Sequence, residues 1–274
     1  MLRVGVCGAA GRMGRTILEV CRDTRDVRIG AAIEHRDSTL LGLDAGNVAG
    51  IGEQQVSIAC DLGQVSDDFD VLVDFTFADA TIENLRHCRA AGKAMVIGTT
   101  GFSAEQKAEI HAAGRDCALV FAPNMSIGVN LCFKLIELTA RIIGEETDIE
   151  IIEAHHNQKK DAPSGTALRM GEIIADALGR DLGACAVYGR QGIGAVRDPL
   201  TIGFETIRAG DIVGEHTVMF VAAGERLEIT HRAANRKTFA TGAVRAAKWL
   251  MGRENGVYSM QDVLGLQSVP HTQV

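Results

Sequence analysis

With 274 residues, 46% of them apolar and 23% charged, the chain can bury a sizeable core and has the composition of a soluble globular protein of about two domains. A net charge of −7 argues against a general nucleic-acid or anionic-membrane surface, so the basic pair Lys159 and Lys160 must serve a local purpose. No charged-then-apolar leader and no apolar run of transmembrane length stands in the sequence, and the expected location is the cytoplasm.

In chain order, Leu2–Cys7 reads as a short buried strand that meets Gly8-Ala9-Ala10-Gly11-Arg12-Met13-Gly14 and a helical run over Arg15–Cys21. Glycines three apart at a strand-to-helix turn let the backbone approach a pyrophosphate, which the helix N-terminus then stabilises. The next strand, Val27–Ile33, ends in Glu34, 20 residues beyond Gly14, where a Rossmann fold places the carboxylate that accepts from the adenosine ribose. A lone glycine triplet is weak evidence. Strand, triplet, helix, strand and acid in register make it a dinucleotide-binding expectation.

After a glycine-rich stretch over Leu41–Gly52, read as a loop, three more buried strands alternate with helices. The strands are Val71–Phe75, Ala94–Gly98 and Ala118–Ala122, and the helices are Asp79–Ala91 and Ser103–Ala113. Continuous apolar strands separated by amphipathic helices imply a parallel sheet covered on both faces. Ligands bind at the carboxyl ends of such strands, so Asp74-Phe75-Thr76, Gly98-Thr99-Thr100-Gly101 and Ala122-Pro123-Asn124-Met125 are expected to line the cofactor crevice.

The pattern then changes. A helix over Gly128–Ile143 leads to a strand at Ile149–Ala154, and a further helix covers Gly165–Leu178. Strand-like runs follow at Leu200–Ile207, Glu215–Val221 and Arg226–Arg232, with turns at Gly210 and Gly224, which suggests an α+β domain with a mostly antiparallel sheet. The last helix, Thr238–Leu250, is expected to rejoin the first domain. This gives a discontinuous α/β Rossmann-type dinucleotide-binding domain over 1–126 with 237–274, and a substrate-binding and oligomerisation domain over 127–236. The tail from Gln267 is polar and expected to fray.

Between the strand and helix of the second domain lies the most informative segment, Glu153-Ala154-His155-His156-Asn157-Gln158-Lys159-Lys160-Asp161-Ala162-Pro163-Ser164-Gly165-Thr166. Imidazoles move protons near neutral pH, ammonium groups bind carboxylates, and the amides at a helix start favour an anion. The segment suits a small carboxylate-bearing molecule that is to be protonated. Neighbouring histidines on a strand point to opposite faces, which leaves at most one facing a site and disfavours a shared metal. Lys160 reads as a solvated charge. The seven cysteines, Cys7, Cys21, Cys60, Cys88, Cys117, Cys132 and Cys185, are odd in number and lack a CxxC spacing, so they read as core filler in a reducing compartment.

Taken together, the motifs resemble the 4-hydroxy-tetrahydrodipicolinate reductases, long called dihydrodipicolinate reductases, over most of the chain. The resemblance rests on Val4–Gly14, Gly98–Gly101, Ala122–Asn130, Glu153–His156, Lys159 with Asp161–Thr166, and Arg208–Thr217 in the family's order. It implies an NADH- or NADPH-dependent oxidoreductase of the diaminopimelate route to lysine. The substrate would be a cyclic imine-type dicarboxylate that loses its 4-hydroxyl as water and takes a hydride at C4. By this analogy His155 is the catalytic proton donor and acceptor, and Lys159 is a second proton donor that also holds a carboxylate. His156 contacts substrate, and the Gly165 and Thr166 amides bind the other carboxylate. Gly8, Ala9, Ala10, Gly11, Arg12, Met13, Glu34, Gly98, Thr99, Thr100, Ala122, Pro123, Asn124 and Met125 contact the cofactor. No metal and no nucleic acid is implied, and the assembly would be a homotetramer, in keeping with open edges on the second sheet.

The chain departs from the family where an arginine often follows the acid. His35 stands there, with Arg36 one later, and Glu34 would repel a 2′-phosphate, so the expectation leans to NADH. Asn157 and Gln158 also replace a more basic stretch. Two other readings share the N-terminal motif: a different Rossmann dehydrogenase acting on an amino acid or semialdehyde, and a non-catalytic NAD(P)H sensor. The sensor gives no reason to set His155 and Lys159 beside an anion-binding turn.

Overall fold

The computed structural model describes residues 1–266, so the expectation for the tail from Gln267 lies outside the described residues. The chain divides into two compact units, Met1–Ile127 with the segment that begins at Arg236, and Gly128–Asn235.

The first unit opens with β1 (Leu2–Cys7), α1 (Arg12–Asp23), β2 (Val27–Ile33), α2 (Ala45–Ala49) and β3 (Ile58–Ala59). It continues with β4 (Val71–Asp74), α3 (Ala78–Ala91), β5 (Ala94–Ile97), α4 (Ala104–Ala113) and β6 (Ala118–Phe121). Local chemistry sets the helix ends. Ser103 and Gln106 form a reciprocal capping box at the start of α4, and Gly92 ends α3 in the left-handed conformation at φ 63°. The stretch read as a loop holds the single helical turn α2, started by Asp44, whose carboxylate accepts from Asn47 N–H at 2.9 Å. Its glycines and short length mask the helical period.

The second unit contains α5 (Ile127–Ile143) from its second residue on, β7 (Asp148–His155), α6 (Gly165–Leu178), α7 (Leu182–Cys185), β8 (Ala186–Tyr188), β9 (Ile202–Arg208), β10 (Gly214–Val221) and β11 (Arg226–Ala233). The strand order is β11-β10-β7-β9-β8. This sheet is mixed rather than mostly antiparallel. β10 runs antiparallel to β7 and β11, but β7 and β8 both run parallel to β9. The Gly224 turn joins β10 to β11 as a hairpin, with Ala222 N–H donating to Glu225 C=O at 3.0 Å. The connection from β7 to β9 instead carries α6, α7 and β8, long enough to return the chain to the same end and pair it in parallel. β8 has too few residues for its period to show in the sequence.

From α8 (Lys237–Leu250) the chain is again in the first unit and adds β12 (Gly256–Tyr258) and α9 (Met260–Leu264). Among the described residues, the first sheet has the order β12-β6-β5-β4-β1-β2-β3 with every pairing parallel. Alternate residues serve opposite faces. Val4, Val6, Val71, Val73, Val96 and Val120 pack with Ile17 and Leu18 of α1 and Ala243 and Ala247 of α8. On the other face Leu72, Met95, Ile97 and Leu119 pack with Ile82 and Leu85 of α3 and Ile110 of α4. The connection direction reverses between β1 and β4, the place where open α/β sheets leave a crevice at their carboxyl ends.

Candidate active site

The crevice of the first unit is shaped by missing side chains. Gly8 takes φ +64°, which L residues rarely adopt, and its carbonyl accepts from Gly11 N–H at 2.9 Å. A Cβ on Gly14 would lie 2.7 Å from Ala9 Cα and would overlap the Gly8 carbonyl oxygen, so only glycine lets α1 start this close to β1. Gly11 caps α1 without a side-chain bond, and the first turn of α1 holds no acid, an arrangement that suits a bound anion. Glu34 reaches over the loop, accepting from Ala10 N–H at 2.9 Å and from His35 N–H at 3.3 Å. A cavity of about 660 Å³ runs along this loop, walled by Arg12, Met13, Glu34, Arg36, Phe75 and Thr76. These features fit a dinucleotide: a curved glycine backbone and an uncapped helix start for phosphates, and a carboxylate for ribose hydroxyls.

The neighbouring strand ends are tied together by Asp74, fully buried at the end of β4. It accepts from Thr76 N–H at 2.8 Å, Thr76 Oγ1 at 2.6 Å, Asn84 Nδ2 at 2.8 Å and Thr99 Oγ1 at 3.3 Å. Thr99 also accepts from Thr81 Oγ1 at 2.8 Å, so its hydroxyl turns into the protein while Thr100 is exposed. Phe75 lies so close over Gly98 that a Cβ there would strike its ring. Ala122 and Met125 are buried, Pro123 is exposed, and half-buried Asn124 accepts from Ser126 N–H at 2.9 Å. α8 packs against this turn through Gly242, where any Cβ would overlap Met125 O.

The second unit builds its site at one end of a buried sheet face. Residues two apart on a strand share a face, and on β7 the inward series is Ile149, Ile151, Glu153 and His155. Register continues the switch on both sides. Ile202 and Phe204 of β9 and Val218 and Phe220 of β10 surround the apolar half, while Thr206 and His216 flank Glu153 and Arg208 lies opposite His155. The buried face is therefore apolar at one end and charged at the other.

Glu153, 1% exposed, is the hub. Its Oε2 lies 2.6 Å from His155 Nδ1, and Arg208 donates to both oxygens at 2.9 and 2.8 Å. Oε1 also accepts from Ser164 N–H at 3.0 Å and Thr206 Oγ1 at 3.3 Å. Burial alone would raise the Glu153 pKa, but the hydrogen bonds from Arg208 and His155 outweigh it and hold the carboxyl below its ordinary value. For His155 burial wins. The ring is pushed below its usual pKa although Glu153 pulls the other way. His216 goes further, down to about 4, through burial and then the repulsion of His155, whose ring it meets edge-on at 5.2 Å.

Ser164 starts α6. Its Oγ accepts from Ala167 N–H at 3.2 Å and sits 2.8 Å from His216 Nε2. Gly165 and Thr166 form the first helical turn, again without an acid. Lys159 Nζ donates to both Asp161 oxygens at 2.9 and 2.8 Å, which holds the Asp161 carboxyl below its ordinary value. His155 is buried, His156 half-buried and Lys160 exposed. The structure thus gathers His155 and the start of α6 around one carboxylate, with Lys159 on the connecting loop.

Reading the sequence assigned no role to Glu153, Thr206, Arg208 or His216. Glu153 carried a signal, since it lies two before His155 and must share its face. The others come from strands whose pairing the sequence does not reveal. Elsewhere, among the described residues, no cluster of His, Cys, Asp and Glu is arranged to hold a metal, and all seven cysteines are free. Among the described residues no helix is long and apolar enough to cross a membrane.

Residues 2–125 match the family of the dihydrodipicolinate reductase N-terminus, and residues 128–264 that of its C-terminus. A 4-hydroxy-tetrahydrodipicolinate reductase from Hahella chejuensis is 58% identical over 267 residues, covering 97% of this chain and all of the relative. Among solved structures, a dipicolinate-bound dihydrodipicolinate reductase from Paenisporosarcina is similar with a TM-score of 0.76 at 25% identity, over 96% of this chain and 98% of that one. An amine dehydrogenase from Mycobacterium smegmatis shares the fold, with a TM-score of 0.61 at 15% identity over 94% and 95% of the two chains. The chain belongs to the dihydrodipicolinate reductase family.

Proposed function

We propose that this protein reduces 4-hydroxy-tetrahydrodipicolinate to tetrahydrodipicolinate, with loss of water, using NADH or NADPH on the diaminopimelate route to lysine. The observation that carries the reading is the 2.6 Å His155–Glu153 pair, whose carboxylate also holds the start of α6 through Ser164 N–H. An acid–base group and a helix end suited to a carboxylate are set by the same buried residue, as a dicarboxylate that must be protonated requires. Full-length identity of 58% to a reductase of this name supports the same reaction.

In this reading His155 donates the proton. Lys159 holds one substrate carboxylate in exchange for Asp161 and serves as a second proton donor. His156 contacts substrate, and the Gly165 and Thr166 amides take the other carboxylate. The nicotinamide, when bound, supplies the hydride. Gly8, Ala9, Ala10, Gly11, Arg12 and Met13 cradle the pyrophosphate and Glu34 the ribose, while Gly98, Thr99, Thr100, Ala122, Pro123, Asn124 and Met125 border the nicotinamide. Residues 1–126 with 237–274 form the dinucleotide-binding domain, and 127–236 form the domain for substrate and self-association. A carboxylate at Glu34 favours a free ribose diol, so NADH is the preferred donor. The exposed edge strand β8, with Tyr188 57% exposed, and Leu227 on edge strand β11 support self-association, read as a homotetramer in the cytoplasm.

The test is a coupled assay at 340 nm in which dihydrodipicolinate synthase generates the unstable substrate in place, with NADH and NADPH in parallel. Nucleotide oxidation only while substrate is being made supports the reading. Protein that binds NADH but never oxidises it under these conditions overturns it. Light scattering coupled to size exclusion reads the assembly.

A further inference from the structure

We propose that Glu153 is the positioning residue of this site, holding His155 as its Nδ1–H tautomer through one oxygen and the start of α6 through the other, so that the proton-transfer nitrogen is Nε2. The inference deepens the proposed reaction and rests on it for its kinetic consequences alone, because the tautomer is a property of the protein.

Three observations carry it. The first is the acceptor chemistry. An ionised carboxylate only accepts hydrogen bonds, so the 2.6 Å contact requires hydrogen on His155 Nδ1, and neutral imidazole then has its lone pair on Nε2. The second is the way the charge is kept. A carboxylate 1% exposed would ordinarily neutralise, yet Glu153 receives five hydrogen bonds, two of them from the guanidinium of Arg208 on β9. Arg208 therefore keeps Glu153 ionised, its Nη1 sharing Oε2 with His155 and its Nη2 meeting Oε1. The third is space at Nε2. A Cβ on Gly214 would lie 3.1 Å from His155 Nε2, tighter than ordinary packing, so a glycine here leaves the reactive edge of the ring uncrowded. Gly214 has no positive φ and is not needed for a turn. Meanwhile the Ser164 N–H bond to Oε1 fixes the capping residue of the helix whose amides face the substrate carboxylate in the proposed reaction.

The ring is faced by Glu153 on its own strand, Lys159 in the loop that follows, Arg208 on β9 and His216 on β10. Glu153 is the one anion among them. Replacing it by a neutral residue leaves burial and the cations unopposed, and His155 titrates at lower pH.

The experiment is the 1H–15N spectrum of histidine-labelled protein above pH 8, with the His155 signals assigned by their loss in His155→Asn. The wild-type protein must show His155 protonated at Nδ1 and bare at Nε2. In Glu153→Gln the tautomer is expected to shift toward Nε2–H and the titration toward lower pH. In the coupled assay kcat falls roughly 10²-fold or more while KM for NADH holds, and the limb of the pH profile that needs protonated His155 moves the same way. Glu153→Asp, which keeps the charge, restores the Nδ1–H preference. A wild-type Nε2–H tautomer overturns the proposal even if Glu153→Gln does not fold, and so does a Gln variant with unchanged tautomer and titration. An absent reductase activity with the stated tautomers overturns the proposed reaction and leaves the positioning role standing.

Discussion

The glycine loop of the first unit and the histidine segment of the second are both proposed to meet anions, and they are made by opposite means. At the loop the protein removes matter: Gly8 supplies a backbone angle, and Gly14 supplies room for α1 against β1. At the histidine segment it buries the Glu153 carboxylate, held by half-buried Arg208 and by His155 with the neutral ring of His216 alongside, at the end of a face that is otherwise apolar. A site made by subtraction tolerates changes of pH and fails on one added methyl. A site made of buried ions tolerates small changes of shape and fails when a charge is removed or added.

The sharpest break in that comparison is at His155 and Lys159. His155→Ala and Lys159→Ala should each lower kcat by roughly 10²–10⁴-fold, the range for loss of a positioned proton donor, while NADH affinity measured by fluorescence stays within about twofold. A variant with full turnover would remove that residue from the chemistry.

The second break uses pH. Burial holds the His216 pKa at about 4, below the 6.5 of an exposed imidazole, so the fold favours the neutral ring. Its stabilising contribution is complete above about pH 6.5 and is lost progressively as pH falls toward 4, a loss on the order of 3 kcal/mol. Urea unfolding followed between pH 7.5 and 4.5 should show this slope, and His216→Gln should flatten it. Equal slopes would mean that the ring stays uncharged or finds water.

The two sites also differed in how far the sequence revealed them. The glycine loop was legible because its constraints are local: strand, triplet, helix and acid follow one another within Leu2–Glu34, and each spacing has a steric reason. The helix α6 was expected over about Gly165–Leu178, and the structure has it there, with Ser164 capping its start. His155 and Lys159 stood out by residue type. Their partners did not. Arg208 lies 55 positions from Glu153, and only the parallel pairing of β7 with β9 brings it there. That pairing was hidden for the reason the sheet was expected to be mostly antiparallel, because alternation marks a strand without giving its direction. Buried Asp74 was likewise placed at a strand end, but its hold on Thr99 depends on side-chain orientations that no spacing encodes.

A methyl group tests the other side of the comparison. Gly14→Ala puts its Cβ against backbone atoms of Gly8 and Ala9, which cannot rotate away as a side chain could, so α1 must shift. Overpacking of this kind costs about 1–3 kcal/mol. NADH affinity should fall with it, and the His155 titration should remain where it is. The same substitution at Gly165, where a Cβ meets nothing within 4 Å, should leave stability nearly unchanged and serves as the control. If both variants behave alike, the loop is not held by close approach.

The smallest expected effect is at Glu34, where a carboxylate meets the loop. Its carboxylate accepts from Ala10 N–H and lines the cavity beside His35 and Arg36. A 2′-phosphate brought there would meet a like charge, while a ribose diol would find an acceptor. Glu34→Gln keeps the length and one acceptor oxygen but removes the repulsion, so the ratio of kcat/KM for NADH over NADPH should fall by about tenfold, with most of the change in KM. Arg36 supplies the internal comparison. If it pairs with the 2′-phosphate once Glu34 is neutral, Arg36→Ala in the Glu34→Gln background should return the ratio toward its starting value, and the two substitutions will not add. Additive effects would place Arg36 outside the site and leave the choice of nucleotide to Glu34 alone.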